Sequence, residues 1–395
     1  MKKIALSIFS LALAAGFTAC DDQKNDPIDN AVYFAEASSD NLSEVTVGAA
    51  GEVSETNLTV RLAQPVDHDV TAKIAISQTA LNAYNTLNDT EFQTVPDNMA
   101  SFEQNVVIPA GSVTASLPIS LTSFDGEPGV EYCLPLQIVS ADGMDVASGS
   151  NSYIIALGKV LTQPVPAFRY NNAMSMPWPK EENLQNLTLE WWACVTNVAG
   201  TGGYSINNQA LFSFAANYEI YIRFGDLTYG SGVYNFLQIK TMGIDANYDS
   251  GDPRAGKGLQ WGNWYHFAHT YDSATGKCTL YVNGSPACTV EAPAGRQFDI
   301  TGLSMCASGS TYFRDAVRMA QVRLWRVTRS ATQIAKNMRK AVKYTDPNLV
   351  FYLPMNEGEG ATVLHDVTGN GHDTTIGSAP NGGTDQAYSW EEHTF

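Results

Sequence analysis

Short runs in which apolar and polar residues alternate one for one recur along most of this chain, and that period excludes most folds. Leu58-Thr-Val-Arg-Leu62 and Val70-Thr-Ala-Lys-Ile74-Ala-Ile76 alternate, and Val113 to Leu121 does so again. A period of two puts successive side chains on opposite faces of a strand, whereas one face of a helix repeats every 3.6 residues. Turn signals bound the runs. Pro109-Ala110-Gly111 follows Val106-Val-Ile108, and Asn283-Gly284 follows Thr279-Leu-Tyr-Val282. Asn-Gly suits both positive-φ positions of a two-residue hairpin. Leu134–Val139, Ser152–Leu157, Leu187–Trp192, Trp264–Asp272 and Met319–Trp325 also read as strands. The helical signal is Ser330-Ala-Thr-Gln333, a capping box that opens a short helix with Ile334 and Met338 on one face. Together these patterns predict an all-β chain with one short helix.

With 395 residues, two domains are expected. The break falls at Gln163-Pro164-Val165-Pro166, where paired prolines suggest a stiff linker. The expected parts are a leader over 1–19, a flexible tether over 20–30, a sandwich over 31–160, a linker over 161–177 and a second domain over 178–395. In the leader, Lys2 and Lys3 precede an apolar run from Ile4 to Phe17. That run is shorter than the roughly 20 residues that span a bilayer and suits a secretory signal. Phe17-Thr18-Ala19-Cys20 resembles the lipobox of bacterial lipoproteins, which implies a mature chain that begins at lipidated Cys20. Asp21-Asp22 resembles the acidic tag of lipoproteins that Bacteroides-type bacteria display on the outer face of the outer membrane. The expected location is therefore the cell exterior, with the membrane contacted through the lipid alone.

Charge narrows the partners. The formal net charge is −17 and no basic patch interrupts it, so nucleic acid and anionic surfaces are disfavoured. Neutral or cationic partners fit better, and neutral sugars are the obvious class. Beyond Cys20 and Cys133, the cysteines are Cys194, Cys278, Cys288 and Cys306. These four permit three pairings, or none, and their spacing does not choose. They have no zinc-like Cys/His spacing.

Two resemblances sharpen the fold. Val107-Ile-Pro-Ala-Gly-Ser112 and Glu131-Tyr-Cys-Leu-Pro-Leu136, with Tyr84-Asn85 and Thr94-Val-Pro96 between or before them, resemble the DUF1735 family over roughly residues 30–160. This implies an Ig-like β-sandwich that spaces a functional module from the membrane. In the second half, Trp264-x-His266-x-Ala268-x-Thr270-Tyr-Asp272 leads to Leu280-Tyr-Val-Asn-Gly284, then Val322-x-Leu-Trp325, Leu349-Val-x-Tyr352 and Asp366-x-x-Gly-Asn-Gly371. Their order resembles the LamG/concanavalin A-like family over roughly 170–390, which implies a jelly roll.

Most conspicuous residues read as structural. His266 and His269 face opposite sides of one strand, so they cannot share a metal. Trp191 and Trp192 also alternate, with one expected in the core and the other free to be exposed. Asp366–Gly371 is a calcium candidate, since hard cations take oxygen ligands, but one turn offers few of them. An Asx-type turn is the favoured reading, and no cofactor is expected. Ligand contacts are expected from the loops, through Tyr229, Tyr234, Asn247, Tyr248, Asp249, Asp252, Arg254, Tyr312 and Arg314. Trp178, between Pro177 and Pro179, is expected to be a rigid aromatic platform. Aromatic rings stack on sugar faces, while carboxylates, amides and guanidinium groups bond hydroxyls.

Catalytic signatures are missing from the sequence. There is no E-x-D-x-x-E strand, and Glu219-Ile-Tyr-Ile-Arg carries one carboxylate where that pattern needs three. G-x-S-x-G and H-E-x-x-H are also absent. The expectation is a non-enzymatic surface protein of a glycan-utilisation system. It would capture oligosaccharide, host N-glycan included, for a surface glycosidase or a SusC/SusD-like transporter. A glycoside hydrolase with a non-standard site and a protein-binding adhesin or scaffold are the alternatives.

Overall fold

A computed structural model describes residues 30–395, apart from 39–40, 89, 199, 201, 205, 245–247 and 308–312. The leader, Cys20 and the acidic pair after it lie outside the described residues. No described helix is long and apolar enough to cross a membrane.

The first domain is two sheets face to face. One runs Asp145–Val146, Ala31–Phe34, Val53–Leu62, Thr114–Thr122, Ala100–Phe102; the other runs Leu42–Val47, Ser152–Lys159, Tyr132–Ala141, Val70–Ile76, Asn105–Ile108. Alternation decides which side is inside. Leu58 pairs with Leu117 and both are buried, while their neighbours Thr59 and Ser116 turn to the other face. Phe34, Ile74, Ile119, Leu136 and Ile155 complete the core between the sheets.

This domain also holds a helix, Gln78–Asn88, so the described chain has two short helices where one was expected. Its apolar periodicity is weak because it buries only Leu81. It starts at Ser77, whose Oγ accepts from the Ala80 N–H at 3.1 Å. Asn85 closes it, with its Oδ1 accepting from the Phe92 N–H and its Nδ2 donating to the Phe92 carbonyl.

Residues 161–177 do not form a free linker. Thr162–Phe168 is a strand of the second domain, followed by a 3-10 turn at Tyr170–Asn172 and a strand at Met174–Met176. Its prolines are tolerated because Pro164 and Pro166 are two apart, which directs both missing N–H positions to the same edge. The strand pairs over 162–167 with Ser389–Thr394, but with its other neighbour only from Ala167 onward.

The second domain is a concanavalin A-like sandwich. Its larger sheet runs Ser285–Glu291, Lys277–Val282, Tyr265–Asp272, Asn186–Val195, Val317–Trp325, Thr162–Phe168, Ser389–Thr394, with Leu349–Leu353 also on Val317–Trp325. The smaller runs Met174–Met176, Phe298–Met305, Gln209–Ala216, Ile220–Phe224, Leu237–Thr241. Trp191 is fully buried between them, stacked on Phe267 at 5.5 Å and edge-on to Phe212 at 5.1 Å. The hairpin at Asn283-Gly284 has both residues at positive φ and two-residue spacing.

Trp192 is buried as well. Its face of the larger sheet is covered by the segment after Val317–Trp325: Trp192 Nε1 donates to the Met338 carbonyl, and its ring meets Phe395. Under that cover lies an ionic cluster. Arg329 Nε is 3.2 Å from Glu190, His266 Nε2 is 3.6 Å from the other oxygen of that carboxylate, and the Arg329 guanidinium lies over the Trp325 ring at 4.1 Å. Burial, with Arg323 and Arg329 nearby, pushes the His266 pKa down to about 3. The covering helix Ala331–Asn337 carries both reciprocal bonds of the Ser330/Gln333 capping box. No disulfide joins Cys133, Cys194, Cys278, Cys288 or Cys306 among the described residues; Cys278 lies opposite Val290 and Cys288 opposite Leu280, so the two on the hairpin strands do not face each other.

Candidate functional site

Strand register gathers the polar loops at one end of the second domain. Gln209, Phe224 and Leu237 align across the smaller sheet, with Met305 beside Phe212. In the larger sheet Val195 and Phe168 both meet Val317, and Ala193 meets Tyr265. The described residues of the connections after Val195, Phe224 and Met305 and before Tyr265 therefore emerge together. This is the end remote from Thr162, where the chain enters the domain. Tyr248–Ser250 returns along the edge strand: the Ile239 N–H donates to the Tyr248 carbonyl and the Ser250 N–H to the Leu237 carbonyl, each at 2.9 Å.

Tyr229 organises the first part of the site. It ends a 3-10 turn, Leu227–Tyr229, capped by Asp226. Its hydroxyl donates to Asp249 Oδ2 at 2.8 Å, and its ring is edge-on to Phe236 at 4.8 Å. Asp249 Oδ1 accepts from the Gly251 N–H at 2.8 Å. Burial and the Asp249 carboxylate both raise the Tyr229 pKa, so the phenol keeps its proton. Over the ring, 5.1 Å from its centroid, lies the Arg254 guanidinium. Asp252 accepts from the Arg254 N–H and Nε at 2.9 and 3.0 Å, and from the terminal guanidinium nitrogen at 2.8 Å. That fork lowers the Asp252 pKa.

A second network lies beneath. Arg223, 8% exposed, donates to Gln238 Oε1 at 3.1 and 2.8 Å, to Asn208 Oδ1 at 3.0 Å, and pairs with Asp226 at 2.8 Å. Asn208 also accepts from the Tyr221 hydroxyl at 2.8 Å. Asn208 has φ +62 and Tyr204 has φ +46, the left-handed region that side chains seldom occupy. These backbone conformations set Asn208 toward Arg223.

Trp261 supplies the apolar element. It is 51% exposed, whereas every other described tryptophan is buried or half-buried. Its base is fixed: the Gly262 N–H donates to the Val195 carbonyl at 2.7 Å, and the loop containing Gly203 lies against its Cβ. A Cβ on Gly203 would come within 2.5 Å of that atom, so glycine is required there. A large ring held out in solvent at the same end of the domain as paired amides, carboxylates and guanidinium groups suits a ligand with apolar faces and hydroxyl edges.

Of the residues expected to bind ligand, Tyr229, Asp249, Asp252 and Arg254 come together directly. Tyr234 lies on the same loop with its Cβ side against Gly225, and exposed Arg314 projects from the same end, where its carbonyl accepts from Arg169. Tyr248 does not line a surface. It is 1% exposed and its hydroxyl meets His269 Nδ1 at 2.9 Å, because the edge pairing of Asp249 turns its neighbour inward. Trp178 is no platform either: its ring sits edge-on to Phe214 and Phe351, and 4.6 Å from His372. Asn247 and Tyr312 lie outside the described residues. Sequence reading missed Trp261, although a tryptophan amid Gln260, Gly262 and Asn263 was a visible signal; it also missed Arg223 and Asn208, whose roles depend on register and backbone conformation.

The Asp366–Gly371 turn is an Asx-type turn. Asp366 Oδ1 accepts from the N–H groups of Tyr352 and Thr368 and from the Thr368 hydroxyl, and Oδ2 accepts from the His372 N–H. Asn370 donates to the Leu349 and Val350 carbonyls. No group of three or more His, Cys, Asp or Glu side chains suited to a metal occurs among the described residues.

This is a two-domain β protein in which a sandwich precedes a lectin-type jelly roll, and the comparisons agree. Residues 171–335 match the laminin G-type family of the concanavalin A-like lectin/glucanases superfamily, and residues 28–145 match a family of N-terminal domains. Among solved structures, a provisionally assigned carbohydrate-binding protein from Bacteroides ovatus is 20% identical, with a TM-score of 0.61 over 92% of this chain and 97% of that one; the likeness shows a shared fold. A multidomain protein including DUF1735, from the same species, is 13% identical over 76% of this chain and 95% of that one, with a TM-score of 0.27. EndoBT-3987 of Bacteroides thetaiotaomicron, solved with a Man5GlcNAc product, is 17% identical over 32% of this chain and 30% of that one, with a TM-score of 0.29. No curated protein matches the chain.

Proposed function

We propose that this chain is a cell-surface glycan-binding lipoprotein whose second domain holds oligosaccharide at its loop end. The observation that carries the reading is Trp261, half exposed on a fixed base, at the same end as the Tyr229–Asp249–Asp252–Arg254 cluster. The carbohydrate-binding assignment of the similar Bacteroides ovatus protein supports it. Both carboxylates of the cluster are committed, Asp249 to Tyr229 and Gly251, Asp252 to Arg254. A glycosidase needs one carboxyl with a raised pKa as acid and a second as base or nucleophile, and a lowered pKa makes Asp252 unsuited to the acid role. Binding without hydrolysis is therefore the reading, with captured sugar passed to a surface glycosidase or a SusC/SusD-like transporter. The Cys20 lipid is the proposed anchor on the outer face of the outer membrane, and the first domain the proposed spacer.

A glycan array spanning plant, microbial and host glycans, high-mannose N-glycans included, tests the reading on residues 21–395. At least one class should bind, with affinity falling roughly tenfold in Trp261→Ala. No binding across the panel, or a protein partner captured equally well after glycosidase treatment, would overturn it. Release of sugar product would replace binder with hydrolase. Mass spectrometry of the mature N-terminus tests the anchor, which should disappear in Cys20→Ala together with protease-accessible surface protein.

A further inference from the structure

The two domains meet at a clamped junction. Lys340 Nζ lies 2.7 Å from Glu131 and 3.8 Å from Glu44 of the first domain. Gly129 lies so close to the backbone of Val342 and Lys343 that a Cβ would sit 2.0 Å from the Val342 carbonyl carbon. Beside this clamp is a cavity of about 760 Å³ walled by both domains. Its size is that of a small-molecule or oligosaccharide pocket, and domain junctions are a common place for one.

We propose that this interdomain cavity is a second binding site, for a neutral oligosaccharide segment, on the same chain as the loop-end site. The walls are complementary in charge. The first domain contributes Glu44, Glu91 and Glu131; the second contributes Arg329, Lys336, Lys340 and Lys343, four cations against the one acid Asp346. An anionic ligand meets one wall of like sign and a cationic ligand meets the other. A hydroxyl donates to the first wall and accepts from the second, so a neutral, hydroxyl-rich molecule satisfies both. Apolar faces are provided too. The rings of Tyr84 and Phe92, 6.3 Å apart, line the first-domain wall and are only half buried. The deepest cation is fixed before any ligand arrives: the Arg329 side chain is 9% exposed, held between Glu190 and the Trp325 ring. Pre-positioning a long cation removes an ordering cost that binding would otherwise carry. The first domain would then take part in binding as well as spacing.

This inference shares the ligand class of the loop-end reading but none of its residues, so one experiment separates them. Hydrogen exchange is measured on residues 21–395 with and without saturating oligosaccharides from mannan, xylan and starch and a high-mannose N-glycan. The cavity site predicts slowed exchange in peptides covering Tyr84–Gln93 and Ser330–Asn337. In Thr332→Trp, which fills the cavity from an exposed helix position, that protection should vanish while loop-end protection stays. In Tyr84→Ala, affinity at the cavity should fall roughly three- to tenfold. Protection confined to the loop end refutes the cavity and leaves the first reading standing. Protection confined to the cavity does the reverse, and no protection with any of the four probes removes both.

Discussion

Acidification should weaken the second domain by an amount that one histidine makes calculable. His269 is fully buried, and desolvation pushes its pKa down to about 3. Its Nδ1 meets the Tyr248 hydroxyl, which holds the edge segment that presents Asp249. In the unfolded chain the imidazole returns to about 6.5. The folded value is the lower one, so the unfolded state binds the extra proton first. Stability from this residue is complete above about pH 7.5 and is lost as pH falls through 6.5 toward 3. At pH 5 the gap is one and a half units below 6.5, and at about 1.4 kcal/mol per unit the loss is about 2 kcal/mol. The size depends on the unfolded value alone, because the folded one lies well below the pH of the measurement. The control is His269→Gln, which keeps a polar partner for Tyr248 and does not titrate. All seven tryptophans lie between Trp178 and Trp390, so their fluorescence during urea unfolding reports on the second domain alone. His266 shifts in the same direction and cancels in the comparison. Between pH 8 and pH 5 the wild type should lose about 2 kcal/mol more than the variant. Equal losses would show that His269 is not held neutral in the core, and the placing of Tyr248 and Asp249 would fall with it.

Three other outcomes follow from the geometry. Asp366→Ala strands three backbone N–H groups and should cost about 3 kcal/mol in unfolding, while a chelator should leave the wild-type midpoint unchanged, as befits a turn held by hydrogen bonds. Asp252 has a lowered pKa through its fork with Arg254, so glycan affinity should be flat from about pH 8 down to about pH 5 and fall only below the usual carboxylate range, as the carboxylate protonates; calorimetry as the pH is lowered checks it. Gly129→Val should loosen the junction, seen as a larger radius of gyration in X-ray scattering and faster protease cleavage between the domains, and should also lower the first domain's own stability, because Gly129 sits at φ +75 where a β-branched side chain is strained.

Much of the fold was readable because strand faces are written directly as alternation. Leu58 and Leu117 needed only their neighbours' polarity to declare which way they point. The helix at Gln78–Asn88 was not readable, since one buried leucine leaves no stripe. The strand at Thr162–Phe168 hid behind its prolines, whose acceptability depends on where the neighbouring strand begins to pair. The loop end was partly legible: the Asp249–Arg254 stretch has the chemistry of a binding surface in its composition alone. Whether an aromatic in such a loop faces out is set by partners distant in sequence, His269 for Tyr248 and Phe214 and Phe351 for Trp178. Trp192 likewise was free to be exposed until the Met338 carbonyl and Phe395 covered it.

The strand by which the chain enters the second domain has a mechanical consequence. Thr162–Phe168 begins at the end facing the first domain and finishes at the loop end, and its main partner, Ser389–Thr394, runs back beside it. If the chain is tethered at Cys20 and holds ligand beyond Phe168 as proposed, tension during capture would pull along that strand. Ladder hydrogen bonds lie across the strand direction, so a lengthwise pull shears them as a group and does not unzip them singly. The register from Thr162 to Ala167 would then share the load.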